Sequence, residues 1–363
     1  GRTGPLAGVR VIEIDAIGPV PLAAMILADM GADIIRVARA ASAGAGAWDD
    51  VGGDILHRSR HVVHMNLKDK QDLESLLSLI GQADALIEGF RPGVMERLGV
   101  GPDVCLRRNP RLVYGRMTGW GQSGPLALRR GHAPNYLPPP APLQSRETPE
   151  APPHVPLNLV GDYGGGAMFL IAGLLAAILS AQRTGEGQVV DACISDGAAS
   201  LMSLFYAWEP KGLWQDAPAS NLLDGAAPFY RCYRCADGRD VAVACLEPQF
   251  FAQMVKGLGL EDRHYDQNDR AGWPAMQAEL AAMFATRTRD EWAALFAQSD
   301  ACVTPVLSMA EAPLHPHNRA RQSFVQRGGI AQPAPAPRTL GTPPSISEPG
   351  VLSTAGAIAR WSA

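Results

Sequence analysis

A chain of 363 residues, 47% hydrophobic and 19% charged, is long enough for two hydrophobic cores and has the composition of an ordinary globular protein. A net charge of −4 gives no basic footprint, so nucleic acid is not an expected partner. Six cysteines spread thinly along the chain suit reduced thiols and a cytoplasmic location, and residues 1–5 carry no apolar signal segment. The longest apolar run, Ala167 to Ala181, falls short of the ~20 residues that span a bilayer, so no membrane insertion is expected.

Val9 to Ile14 reads as a buried strand, followed by a helix over Pro21 to Met30 and a second strand at Asp33 to Val37. Further strands are predicted at Val62 to Leu67, Ala85 to Glu88 and Leu112 to Met117, with helical patterns at Asp69 to Ile80 and Gly93 to Leu98 between them. Alternating apolar strands and helices imply a parallel, Rossmann-like sheet in an α/β protein. Ala16-Ile-Gly-Pro19 stands where a glycine-rich dinucleotide fingerprint would follow the first strand, so no dinucleotide site is expected. Pro138 to Pro142 is polyproline or loop, Ala167 to Ala181 a buried helix and Gln188 to Ile194 a strand. Residues 200–228 read as a bridge to a second domain, which starts with a hairpin, Tyr230 to Leu246, turning at Asp237-Gly238. Helices follow at Pro248 to Gly257 and Trp273 to Phe296, and residues 327–350 form an extended return segment. Cys232-Tyr-Arg-Cys235 has redox or zinc spacing, but no second pair completes a tetrahedral site, so no metal is expected.

The chemistry concentrates in two glycine-flanked loops, Gly131-His-Ala-Pro-Asn-Tyr136 and Val160-Gly-Asp-Tyr-Gly-Gly-Gly166. Imidazole and carboxyl are the groups best suited to move protons near neutrality, and neighbouring glycines let backbone approach a ligand. Asp162 is placed at the N-terminus of the apolar helix, where free N–H groups of Gly164 to Gly166 would face an enolate oxygen. An Asp ahead of a helix also serves as a plain N-cap, and a loop His as a solvated residue, so their surroundings must decide.

Those surroundings carry a family likeness. Gly4 to Ile14, Leu27 to Val37, Glu88 to Gly99, Arg116 to Pro125, Pro156 to Gly166, Asp237-Gly-Arg239, Glu247-Pro-Gln-Phe250 and Asp300 to Val306 resemble the class III CoA-transferase superfamily, in its α-methylacyl-CoA racemase branch. The resemblance implies an interlocked homodimer. A discontinuous large CoA-binding domain (1–190 and 325–363) would be joined by linkers (191–227 and 306–324) to a small α/β domain (228–305). It implies that His132 and Asp162 exchange protons with an acyl-CoA substrate, with Glu247 supporting His132. It further implies CoA contacts from Arg39, Met65, Asn66, Leu67, Lys68, Gly89, Phe90, Arg91, Arg97, Gly131, Asn135 and Tyr136. No prosthetic group is expected; coenzyme A enters as part of the substrate thioester. The activity implied is epimerisation of (R)- and (S)-2-methylacyl thioesters through an enolate. The alternatives are a CoA transferase with Asp162 as nucleophile, a recruited isomerase for a non-standard or carrier-bound acyl group, and a non-catalytic binding protein. His132 favours the racemase, since transferases typically lack histidine there. Ala133-Pro134 and Pro138 to Pro142 depart from the family pattern, and predict an altered pocket with one helix lost or rebuilt.

Overall fold

The computed structural model describes residues 3–40, 52–137 and 150–363. The chain divides into two compact units, the first holding residues up to 137, 155–203 and 332–363 and the second holding 150–154 and 204–331. The segment Pro138 to Pro142, predicted as polyproline, lies outside the described residues.

In chain order the first unit contains β1 (Arg10–Ile14), α1 (Pro19–Asp29), β2 (Asp33–Ala38), α2 (Gly53–Leu56), β3 (His61–His64), α3 (Lys70–Ile80), β4 (Ala85–Glu88), α4 (Val94–Arg97), α5 (Pro102–Arg108), β5 (Val113–Thr118) and α6 (Ala133–Tyr136). A π-helical stretch, Leu159–Ala167, then runs directly into α7 (Met168–Thr184), β6 (Gln188–Cys193) and α8 (Ile194–Leu201). The strands pair in the order β12-β3-β2-β1-β4-β5-β6, every neighbour parallel, where β12 (Gly350–Leu352) and α14 (Thr354–Ser362) come from the end of the chain. This is the expected α/β class with a parallel central sheet.

Strands buried on both faces need apolar residues at nearly every position, and β1, β2 and β4 have them. Val11, Ile34, Ala85 and Val113 face α1 and α7, while Ile12, Ile14, Ile35, Leu86 and Tyr114 face α3 and Trp361 of α14. Glu13 is the buried polar residue on β1. It is fully buried and ion-paired to buried Arg60 at 2.7 Å. Arg60 also donates to the carbonyls of Leu56 and Pro21, stitching α2 and the start of α1 to the sheet.

The apolar run at 167–181 proves to be part of a longer element than the sequence suggested. With the π-helical stretch it forms one helix of 26 residues, Leu159–Thr184, long and apolar enough by length and composition to cross a membrane. Half of its most apolar window is buried in protein, with Leu170, Leu174, Ala177, Ile178 and Ala181 packed in the core beside β5 and α1.

The second unit contains α9 (Ser203–Trp208) after its first residue, β7 (Tyr230–Arg234), β8 (Asp240–Ala244), α10 (Pro248–Gly257), α11 (Trp273–Phe284), α12 (Arg289–Phe296), β9 (Val303–Pro305), α13 (Pro316–Arg321), β10 (Phe324–Arg327) and the first half of β11 (Ile330–Pro333). Strands β7, β8 and β9 form an antiparallel sheet, and the β7–β8 hairpin turns at Gly238, whose φ of 78° needs glycine. Its core is aromatic, built on Phe229, Tyr233, Phe251, Trp273, Phe284, Trp292 and Phe296. The single helix predicted over Trp273 to Phe296 is two. Thr288 starts the second, its hydroxyl accepting from the N–H of Glu291 while the Glu291 carboxylate accepts from Thr288 N–H.

Candidate active site

Strand order reverses between β1 and β4, and in an open parallel sheet a crevice forms there, outside the carboxyl ends of the strands. A cleft of about 1270 Å³ occupies this place. Residues 15–21 after β1, 89–92 after β4 and 117–120 at the end of β5 form its floor; residues 127–136 and the π-helical stretch close it. Gly18, at φ 93°, takes the chain past Asp162: a Cβ there would lie 3.8 Å from Asp162 Oδ2.

Asp162 lies in the first turn of the π-helical stretch rather than ahead of the helix, because that helix begins at Leu159, with Asn158 as its N-cap. Glycines permit the close packing that holds it there. A Cβ on Gly161 would lie 3.0 Å from Ala133 Cβ, and one on Gly165 would lie 2.9 Å from the backbone nitrogen of Ala198 in α8. Gly161 therefore seats the π-helical stretch on α6, whose N-cap is His132. Both His132 and Asp162 line the cleft. Burial pushes the Asp162 carboxyl above its ordinary value, and the charge of nearby His132 opposes this.

The backbone donors expected at Gly164 to Gly166 are not available to a ligand. In π geometry each N–H bonds the carbonyl five residues earlier, so these three turn along the helix. The donors left over belong to the preceding turn, at Val160, Gly161 and Asp162, since Leu159 N–H donates to the Pro156 carbonyl at 3.4 Å and Tyr163 N–H to that of Asn158 at 3.0 Å.

Of the residues expected to contact CoA, the cleft is lined by Gly89, Phe90, Arg91, Gly131 and Tyr136. Asn135 sits beside it in α6, where its side-chain oxygen accepts from His132 N–H at 2.9 Å. Arg39, Met65, Asn66, Leu67, Lys68 and Arg97 are not among the lining residues; Arg39, Asn66, Lys68 and Arg97 are exposed, Leu67 is half-buried, and Met65 is buried in the core at 2% exposure. Arg39 and residues 65–68 nonetheless follow the carboxyl ends of β2 and β3. Glu247 belongs to the second unit, where it is exposed and forms the N-cap of α10.

Sequence reasoning missed much of the lining. Arg129 and Arg130 add two exposed cations immediately before the Gly131-His132 pair, and Arg91 joins them by donating to the Leu128 carbonyl at 3.4 Å. Asp15 lines the cleft while ion-paired to Arg36 at 2.8 Å. His57 also lines it, with a pKa lowered to about 4 chiefly by burial, then by the charges of Arg36 and Arg60, against the opposing pull of Asp15. Trp120 packs edge-on against Tyr136 with ring centres 4.9 Å apart. The doubled arginine was a visible signal; the others come together only once strand order is known. Ala133-Pro134 proves harmless to local structure, since proline in the first turn of α6 removes an N–H that would be unpaired anyway.

Comparison with known proteins agrees with this architecture. The chain is 41% identical to the α-methylacyl-CoA racemase of Mus musculus over 351 residues, covering 95% of this chain and 90% of that protein. It is 40% identical to the Homo sapiens α-methylacyl-CoA racemase over 340 residues, covering 93% and 87% respectively. The crystal structure of a CAIB/BAIF family protein from Brucella suis superposes with a TM-score of 0.83 at 21% identity, covering 99% of both chains, which shows the same fold. The model of CoA-transferase family III matches residues 6–352, the span that builds both the crevice and the second unit, and the chain belongs to that family.

Proposed function

We propose that this protein is an acyl-CoA epimerase of the α-methylacyl-CoA racemase type, interconverting (R)- and (S)-2-methylacyl thioesters. The observation that carries the reading is the meeting of His132 with a desolvated Asp162 in one cleft. Inverting an α-carbon needs a proton carrier on each face of a planar enolate. Neutral His132 takes the α-proton of one isomer while protonated Asp162 donates to the opposite face; the other isomer reverses the roles. The raised Asp162 pKa supports this, because the carboxyl must hold a proton to give one. The enolate's charge is met by the first-turn N–H groups of Val160, Gly161 and Asp162, at the positive end of a 26-residue helix.

The phosphates of the CoA moiety suit Arg91, Arg129 and Arg130, whose guanidinium forks match phosphate oxygens. Arg39, Lys68 and Arg97 extend the proposed contact along the outer edge. Glu247 is assigned the support of His132, and the working form is assigned as a homodimer. Coenzyme A serves as part of the substrate, without a prosthetic group. Six free thiols suit a reducing compartment such as the cytoplasm.

Incubation with each 2-methylacyl-CoA isomer in deuterated water tests the reading. Deuterium entering the α-position from both isomers supports it. A transferase would instead move CoA to a free acid and leave a hydroxylamine-sensitive acyl group on Asp162, without α-exchange.

A further inference from the structure

We infer that Asn135 and Tyr136 are positioning residues, gripping the two polar ends of the single peptide group that joins Gly131 to His132 and so aiming the imidazole. The Tyr136 hydroxyl donates to the Gly131 carbonyl. The His132 N–H donates to Asn135 Oδ1 at 2.9 Å. That carbonyl and that N–H belong to one planar unit, so holding both fixes the plane from which the His132 side chain departs.

The holders are themselves fixed. Asn135 N–H donates back to the His132 carbonyl at 2.8 Å, closing the α6 turn, and Pro134 within it has a restricted φ. Tyr136 is 9% exposed, edge-on to Trp120, with its ring lying over Gly119 and Gly131, where no side chain intervenes. The grip matters because glycine is the residue with the greatest backbone freedom, and Gly131 immediately precedes the proton carrier. Tyr136 Oη and Asn135 Oδ1 are both engaged in this grip. Asn135 and Tyr136 therefore act through His132, rather than through the CoA contacts first expected of them.

The inference rests on the racemase reading for its kinetic test but not for its spectroscopic one. In the full-length chain, Tyr136→Phe and Asn135→Ala should each lower kcat for α-proton exchange roughly 10- to 100-fold, with KM and the Kd for free CoA unchanged within about twofold. The double variant should lose less than the product of the two, since both side chains hold one peptide group. Asn135→Asp, which keeps the acceptor oxygen, should recover most of the loss. In ¹⁵N spectra assigned with a His132→Gln variant, the His132 imidazole signals should shift or broaden in both single variants. A raised KM or CoA Kd at unchanged kcat would make these residues ligand contacts and overturn the proposal, as would His132 signals identical to wild type. Absence of exchange by the wild-type protein would overturn the racemase reading alone, and the His132 spectra would still decide the grip. Asn135 is exposed, so its variant keeps the test open should Tyr136→Phe fold poorly.

Discussion

Gly119→Ala is a one-carbon change whose effect on the candidate site follows from the packing. The added Cβ would lie 2.7 Å from Tyr136 Cδ1 and closer still to Cε1 and Cζ, inside the 3.0 Å that real Cβ atoms essentially never breach. The ring must withdraw, yet its edge rests on Trp120 and its hydroxyl holds the Gly131 carbonyl. Overpacking costs about 1–3 kcal/mol and the strained hydrogen bond about 1 kcal/mol more. At roughly 2–4 °C per kcal/mol for a unit of this size, the thermal midpoint should fall by about 5–15 °C. Displacing the ring also moves the peptide before His132, and a shift near 1 Å costs on the order of 100-fold in rate. Thermal unfolding followed by circular dichroism, with α-deuterium exchange from a 2-methylacyl-CoA, reads both effects. Gly341→Ala is the control, since a Cβ there meets nothing within 4 Å. A Gly119→Ala protein that unfolds within 2 °C of wild type and exchanges within threefold of it would refute the packing argument (a range set by ordinary surface substitutions).

Two further outcomes follow from buried charge. The folded state raises the Asp162 pKa, so its ionised form is disfavoured by folding; that group's contribution is fully present below the ordinary value of 3.8 and lost as pH rises through the raised value. Asp162→Asn should therefore unfold at a higher temperature than wild type at neutral pH, with the difference shrinking toward pH 3.8, while exchange falls roughly 10²- to 10⁴-fold; a midpoint gap independent of pH would contradict it. Arg60→Met removes the partner of fully buried Glu13 and should cost about 3–5 kcal/mol in urea unfolding, whereas Glu13→Leu with Arg60→Met should recover most of that loss.

The sheet was legible because a strand buried on both faces writes an unbroken apolar run, as Val11-Ile12 and Ala85 to Ile87 do. Helix α5 escaped notice although Pro102 and Asp103 mark its start and Arg107-Arg108 its end, and α12 although Thr288 and Glu291 frame it. Those signals are local and were simply outweighed by the apolar pattern around them. The π-helical stretch is different. No periodicity announces five-residue bonding, and Gly164 to Gly166 read as a loop until α8 is seen packed against them. His132 and Asp162 stood out through chemistry and glycine neighbours. Ala16 to Pro21, His57 and Trp120 did not, because they come from separate loops around the reversal of strand order.

The wide turn that carries Asp162 works as a phase adjuster. In an α-helix each residue advances 100° around the axis, so an acid rigidly in step with Leu170 and Leu174 has one fixed bearing relative to the core. Looser winding between Leu159 and Ala167 breaks that step, leaving the carboxyl free to point into the crevice while the leucines downstream stay seated beside the sheet. One continuous rod thus presents two independently oriented faces, one anchored in the core and one turned to the cleft.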